Sequence, residues 1–277
     1  MKKKMLVLAT TLFIAFGANA KPIPDSKMFN AIRAGLVERE HQEQHLAAFG
    51  MSGEKAEIVR EYLAALGNDD KYIQYMVSQL KQLGFLDTKA FKNKNEYAEQ
   101  LSALIGAVSV GLYQKGLIKL STDDMAVFYE HQIRVMQHMS NEACRAFNLN
   151  MPTKRTEIER KRVQKDIFQS MSANEVRRFF DVSLKAQLAA IDETKDRRDL
   201  SDIERPLAAK AMRESLVTGL RQLPKEEAIR IAKALDDLFS ASNKDVCDTS
   251  KFMYKQFLNS SGQARDWIFR AHLGSLQ

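Results

Sequence analysis

In "MSANEVRRFFDVSLKAQLAAI", residues 171–191, Ser172 stands three places before Glu175. That is the spacing of a capping box, in which the serine accepts from a free backbone N–H and the acid reaches back to the first one. Wound as a helix, Val176, Phe179, Phe180, Leu184 and Ile191 fall on one broad apolar face. Arg177, Asp181 and Lys185 follow each other at i,i+4 along a polar flank, with Asp before Lys, the favourable order. Nothing alternates with a period of two, so a packed amphipathic helix accounts for every residue.

The same grammar runs along the chain. Apolar residues recur at helical spacing almost everywhere, and none of the five prolines falls in the middle of an apolar run. Gly50, Gly67, Gly84, Gly116 and Gly262 fall where helices should stop. This predicts an all-α protein of about ten helices near 25–49, 53–66, 70–83, 94–115, 122–140, 154–171, 173–193, 203–222, 225–242 and 246–259. A last short helix is expected over 263–273, and "DETKDRRDLSD", 192–202, reads as a solvated loop. Short connections imply antiparallel pairs, in a helical bundle or a short helical-repeat array.

Three helix starts look alike: "LSTDDM" at Leu120, "MSANEV" at Met171 and "LPKEEA" at Leu223, spaced 51 and 52 residues apart. Ser121 with Asp124 resembles the box of Ser172, while Pro224 suits a first turn with Glu226 and Glu227 near its positive end. "SNEAC" and "SNKDVC" place Cys144 and Cys247 at near-equivalent points. The chain thus divides into an N-terminal helical region, 21–116, and a C-terminal one, 117–277, with candidate repeats of about 52 residues, or forms one continuous domain.

The beginning bears on location. Lys2, Lys3 and Lys4 precede an apolar run from Met5 to Gly17, and Ala18 and Ala20 are small residues before a cut. The pattern is that of a secretory signal peptide, 1–20, cleaved after Ala20, and the run is short for a membrane span. Cleavage would leave 257 residues and take the formal charge from +7 to +4. A periplasmic or secreted protein of mild charge has no call on nucleic acid, and membrane contact is expected to be at most peripheral. Export permits a Cys144–Cys247 bridge. Helices pack about 8–10 Å apart and a disulfide needs Cα atoms within about 7 Å, so a bridge implies a closed arrangement.

Chemistry is sparse. "EREHQEQH" offers Glu38, His41 and His45 on successive turns as metal-ligand candidates, but H-E-x-x-H is absent and the side chains are expected on a solvated face. His131 and His138 read as partner or surface residues. No phosphate-cradling glycine loop, C-x-x-C, nucleophile elbow or dinucleotide fingerprint occurs, so neither catalytic residues nor a cofactor are expected. "KRTEIERKRVQK", 154–165, is a basic amphipathic helix suited to covering the core, with residues that would also suit anionic lipid or an acidic partner.

One stretch resembles a known motif. Lipase-specific foldases, exported helical chaperones, carry R-x-x-F-D-Y, then F or C, L, S or T, and A. Arg177, Phe180, Asp181, Leu184 and Ala186 match it, while Val182, Ser183 and Lys185 depart from it, over ten residues in all. The resemblance implies a partner-binding role for Arg177, Phe180 and Asp181; the packed helix explains the same residues without one. The expected function is binding another envelope or secreted protein as a non-catalytic accessory, scaffold or chaperone factor. The alternative is an exported enzyme or effector acting on the envelope through unidentified carboxylates.

Overall fold

Helices begin where short polar side chains can accept from free backbone N–H groups. In the computed structural model, Ser121, Ser140, Ser172 and Ser242 each accept from the N–H three residues on, and Ser172 with Glu175 forms the full capping box. The structure describes residues 23–86, 94–194 and 199–275; the cleavage site expected after Ala20 lies outside them. Among the described residues there are thirteen α-helices and no strand, so the fold is all-α. They are α1 (Asp25–Val37), α2 (Arg39–Phe49), α3 (Gly53–Asn68), α4 (Asp70–Gln82), α5 (Lys94–Leu117), α6 (Thr122–His138), α7 (Asn141–Asn148), α8 (Lys154–Ser170), α9 (Ala173–Ile191), α10 (Glu204–Arg221), α11 (Lys225–Asp236), α12 (Asn243–Asn259) and α13 (Gly262–Ser275).

Two compact units share these helices. The first holds the described residues to Lys119 together with those from Met171 to Thr194; the second holds Leu120–Ser170 and the described residues from Asp199 on. The division begins close to the 116/117 boundary, but it is discontinuous, because α9 packs against α3 and α5 and so returns to the first unit. Of the three similar helix starts, the first and third open α6 and α11 in the second unit, while the middle one opens α9 in the first.

In the first unit, α1 packs on α3 and α4, and α9 lies along α5. Its core includes Met28, Ile32, Ile73, Met76, Leu80 and Leu112. The buried side of α9 departs from the simple wheel. Val176 and Phe180 are buried as expected, but Phe179, Leu184 and Ile191 are only half-buried, while Ser183, Ala186, Gln187 and Ala190 are enclosed. Contact from two sides is the reason, and the α5 side needs small residues. A Cβ on Gly116 would lie 1.7 Å from the Ala186 carbonyl oxygen. Gly116 therefore serves close approach inside the last turn of α5 rather than a helix stop. Gly67 does likewise in α3, against Leu36 and Val37, whereas Gly50 is a left-handed cap (φ 66°) as expected.

In the second unit, α12 packs on α6, α7 and α11, and α13 on α10. α7 was not expected as a helix of its own; its eight residues follow the cap at Ser140. Cys144 and Cys247, both buried, lie at bonding distance with Cα atoms 5.5 Å apart, joining α7 to α12. The helices of this unit thus close on one another rather than stack in chain order. Arg270, 3% exposed, donates to Asp266 (2.9 Å) and to the Leu120 carbonyl (3.1 Å), while Thr122 donates to Asp266 (2.7 Å). This buried polar group fixes the start of α6 against α13.

Candidate functional site

The run expected as one helix over 25–49 breaks at Glu38, whose extended backbone ends α1 and starts α2. The break turns the following residues inward and frees carbonyls at the end of α1. Gln42, buried, donates to the Leu36 carbonyl (2.7 Å), and His41 Nδ1 lies 3.3 Å from the Ala34 carbonyl and 3.2 Å from Glu38 Oε2. His41 is buried, contrary to the solvated face expected for it. The side chain of His45 lies outside the described residues. Glu38 and His41 therefore act at a helix junction. No group of three or more His, Cys, Asp or Glu that could hold a metal ion occurs among the described residues.

The motif residues of α9 separate by role. Phe180 is 5% exposed, with ring centroids 4.9 Å from Tyr62 and 6.3 Å from Phe49, so it belongs to the core. Arg177 and Asp181 are exposed, and Arg177 pairs with Glu61 across to α3 at 2.7 Å. The structure does not gather the three into one accessible patch. Two turns further on, Gln187 donates to the Tyr62 hydroxyl (2.5 Å) and accepts from that of Tyr72 (3.3 Å), which also meets Ser109 Oγ (3.2 Å). Burial pushes the Tyr62 and Tyr72 hydroxyls up, so they stay protonated and can donate. This network links α3, α4, α5 and α9.

Space for a ligand lies elsewhere on the first unit. Between α1 and α4 runs an open groove of about 470 Å³. Phe29 and Val77 give it an apolar floor, Asn30 and Gln74 bring amides, and Asp25 and Lys81 pair across it at 2.8 Å. Each amide carries both a donor and an acceptor, the complement of a peptide backbone.

No family model, curated protein or solved structure matches the chain. What the residues can do must come from their own geometry. In the second unit His131 is buried against Phe168, ring centroids 5.5 Å apart, and burial aided by Arg134 lowers its pKa to about 4. It is a core residue, not the partner or surface residue expected, and exposed His138 contacts the Arg134 carbonyl instead. His272 is likewise lowered to about 4 by burial in a cage of Tyr129, Tyr254 and Phe257. Both imidazoles are neutral at physiological pH. Carboxylate shifts are downward too, but there they favour the charged form. Hydrogen bonds hold Glu157 (from Arg160), Asp237 (from Ser240) and Asp245 (from Arg230) below the usual range. Burial works upward on Asp248, yet Lys244 and Lys251 bring it down. No described helix is long and apolar enough to cross a membrane.

The groove was not visible in the sequence. Asn30 and Gln74 lie on different helices and carry no motif. The one usable signal was the polar flank of each helix, which every surface helix shares.

Proposed function

We propose that the protein is exported and binds another envelope or secreted protein as a non-catalytic accessory, scaffold or chaperone factor. The observation that carries this is the open α1–α4 groove, whose amides and apolar floor suit an extended peptide segment. The basic, apolar, small-residue order of residues 1–20 supports export, and a cysteine pair at bonding distance suits an oxidising compartment.

A photo-crosslinking residue placed at Asn30, with exposed Lys233 in α11 as control, tests the reading in intact cells. A discrete envelope-protein adduct from position 30 alone is expected. Equal labelling at both positions would sink the groove as a site. The intact mass of the exported chain should correspond to a start at Lys21, and retention of residues 1–20 would overturn the localisation.

A further inference from the structure

α8 is held to the second unit by one stripe. Val163, Ile167 and Phe168 are buried, with Thr156 enclosed at the start, against α6 and α7. Cations outnumber acids on what remains outside, where Asp166 is exposed and Glu157 and Glu159 are half-buried. Lys154, Arg155, Lys161 and Arg162 are exposed and Lys165 half-buried. They sit at i−4, i−3, i+3, i+4 and i+7 around Ile158, which is 62% exposed. Those spacings place all five on the face of Ile158 or its borders. Arg155 pairs with Glu142 (3.5 Å) and Arg162 with Asp166 (2.9 Å), but Lys154, Lys161 and Lys165 make no ion pair among the described residues. A second exposed apolar side chain, Met151 (59%), lies in the segment leading into the helix.

We propose that this outer face of α8 docks the protein on an anionic lipid bilayer surface. Charge complementarity carries the choice of occupant. The face is rich in lysine and has no aromatic residue, whereas protein interface cores are depleted in lysine and enriched in aromatics. Lysine is a compact, hydrated point charge without the planar fork that reads individual carboxylates, and it responds to the summed field of many headgroup phosphates. Ile158 and Met151 add apolar side chains that settle at the headgroup boundary, while the surrounding cations remain at phosphate depth. The packed inner stripe keeps the face rigid, so no segment has to fold on contact. Docking is through peripheral adsorption, since the apolar side of α8 is already committed to the core. This surface lies on the second unit and is independent of the α1–α4 groove.

Vesicle co-sedimentation tests it. The chain is expressed from Lys21, ahead of the first described residue Ile23, so the whole described fold is present and the apolar run of residues 1–20 cannot bind lipid itself. The probes are vesicles of phosphatidylglycerol with phosphatidylethanolamine, vesicles of phosphatidylcholine alone, and soluble polyglutamate. Binding is expected to the anionic vesicles only, falling as salt rises. Each surface lysine contributes about fivefold to such binding, so Lys154→Gln/Lys161→Gln/Lys165→Gln should weaken it about 100-fold. Because the three side chains are partly or fully exposed, the variant should keep the parent's melting temperature, and Ile158→Ser should weaken binding without removing its salt dependence. Equal vesicle binding by parent and triple variant, or none by the parent, would overturn the proposal. Retention on polyglutamate without vesicle binding would overturn it in favour of an acidic polypeptide.

Discussion

Reducing the Cys144–Cys247 pair should destabilise the second unit selectively. The pair closes a stretch of 103 residues. In the chain-entropy model a loop of that length stabilises the folded state by roughly 4–5 kcal/mol. The local consequence is larger for α7 than for α12. Eight residues are too few to hold a helix unaided, so α7 depends on Cys144 and on its packing against α12 and α8. The chain has one tryptophan, Trp267, in α13, where its indole N–H donates to Glu204 at 3.3 Å within the same unit. Its fluorescence therefore reads the second unit, while far-ultraviolet circular dichroism reads every helix. With a urea dependence of about 2 kcal/mol per molar, reduction should lower the Trp267 midpoint by roughly 2 M. The helicity curve should then separate into two steps, the later one belonging to the first unit. A Cys144→Ala/Cys247→Ala variant should behave like the reduced chain. An unchanged Trp267 midpoint, in a sample whose two thiols have been titrated as free, would refute the reasoning.

Three other outcomes follow from named contacts. Phe180→Ala, which empties the space beside Tyr62 and Phe49, should cost about 3–5 kcal/mol in chemical denaturation, whereas Arg177→Ala should leave the melting temperature almost unchanged; a Phe180→Ala chain as stable as its parent would show that the ring is not part of the core. Gly116→Ala should destabilise by at least about 1–3 kcal/mol because its Cβ meets backbone at Ala186, while Gly106→Ala, with nothing within 4 Å, should stabilise by about 0.5–1 kcal/mol; similar effects at both sites would show that α5 and α9 are not in close contact. His131 and His272 titrate near 4 when folded and at the ordinary 6.5 when unfolded, so below that value the unfolded chain takes up protons that the fold refuses. Stability of the second unit should be full above the unfolded pKa and decline as pH falls toward 4, by up to about 3 kcal/mol per histidine; a Trp267 midpoint that is flat between about pH 7 and about pH 4.5 would refute it.

Helix class and most helix positions could be read because each rests on local rules. The cap at Ser172, the left-handed Gly50 and the apolar spacing of α3 or α4 are decided by neighbours within a turn. Errors arose where a distant partner overrides local preference. The break at Glu38 has no proline to announce it, and Gly35 stands three residues too early to be its cap; it holds because Gln42 and His41 reach the carbonyls that the break exposes. The two-sided burial of α9 depends on Gly116, about seventy residues upstream, leaving room for the Ala186 backbone. Near-equivalent flanks point to the cysteine pair, yet α7, with only eight residues, shows too little apolar periodicity to announce itself as a helix.

The site poses a harder problem, since the sequence signals most suggestive of chemistry were consumed by structure. Glu38 and His41 serve a helix junction, His131 stacks on Phe168, and the phenylalanine of the foldase-like stretch fills the core. A histidine or an aromatic residue is costly to leave idle, so in a chain of packed helices its first use is structural. The residues left over for recognition are those with least character in a sequence: the amides beside the α1–α4 groove and the lysines outside α8. Their significance comes from position alone. Asn30 and Gln74 act together only once α1 lies against α4, and Lys154, Lys161 and Lys165 form one field only because the opposite stripe of α8 is buried. That the conspicuous residues are spent on packing while the inconspicuous ones gather on open surfaces is why the binding role proposed above rests on the surfaces of α1, α4 and α8 and not on a motif.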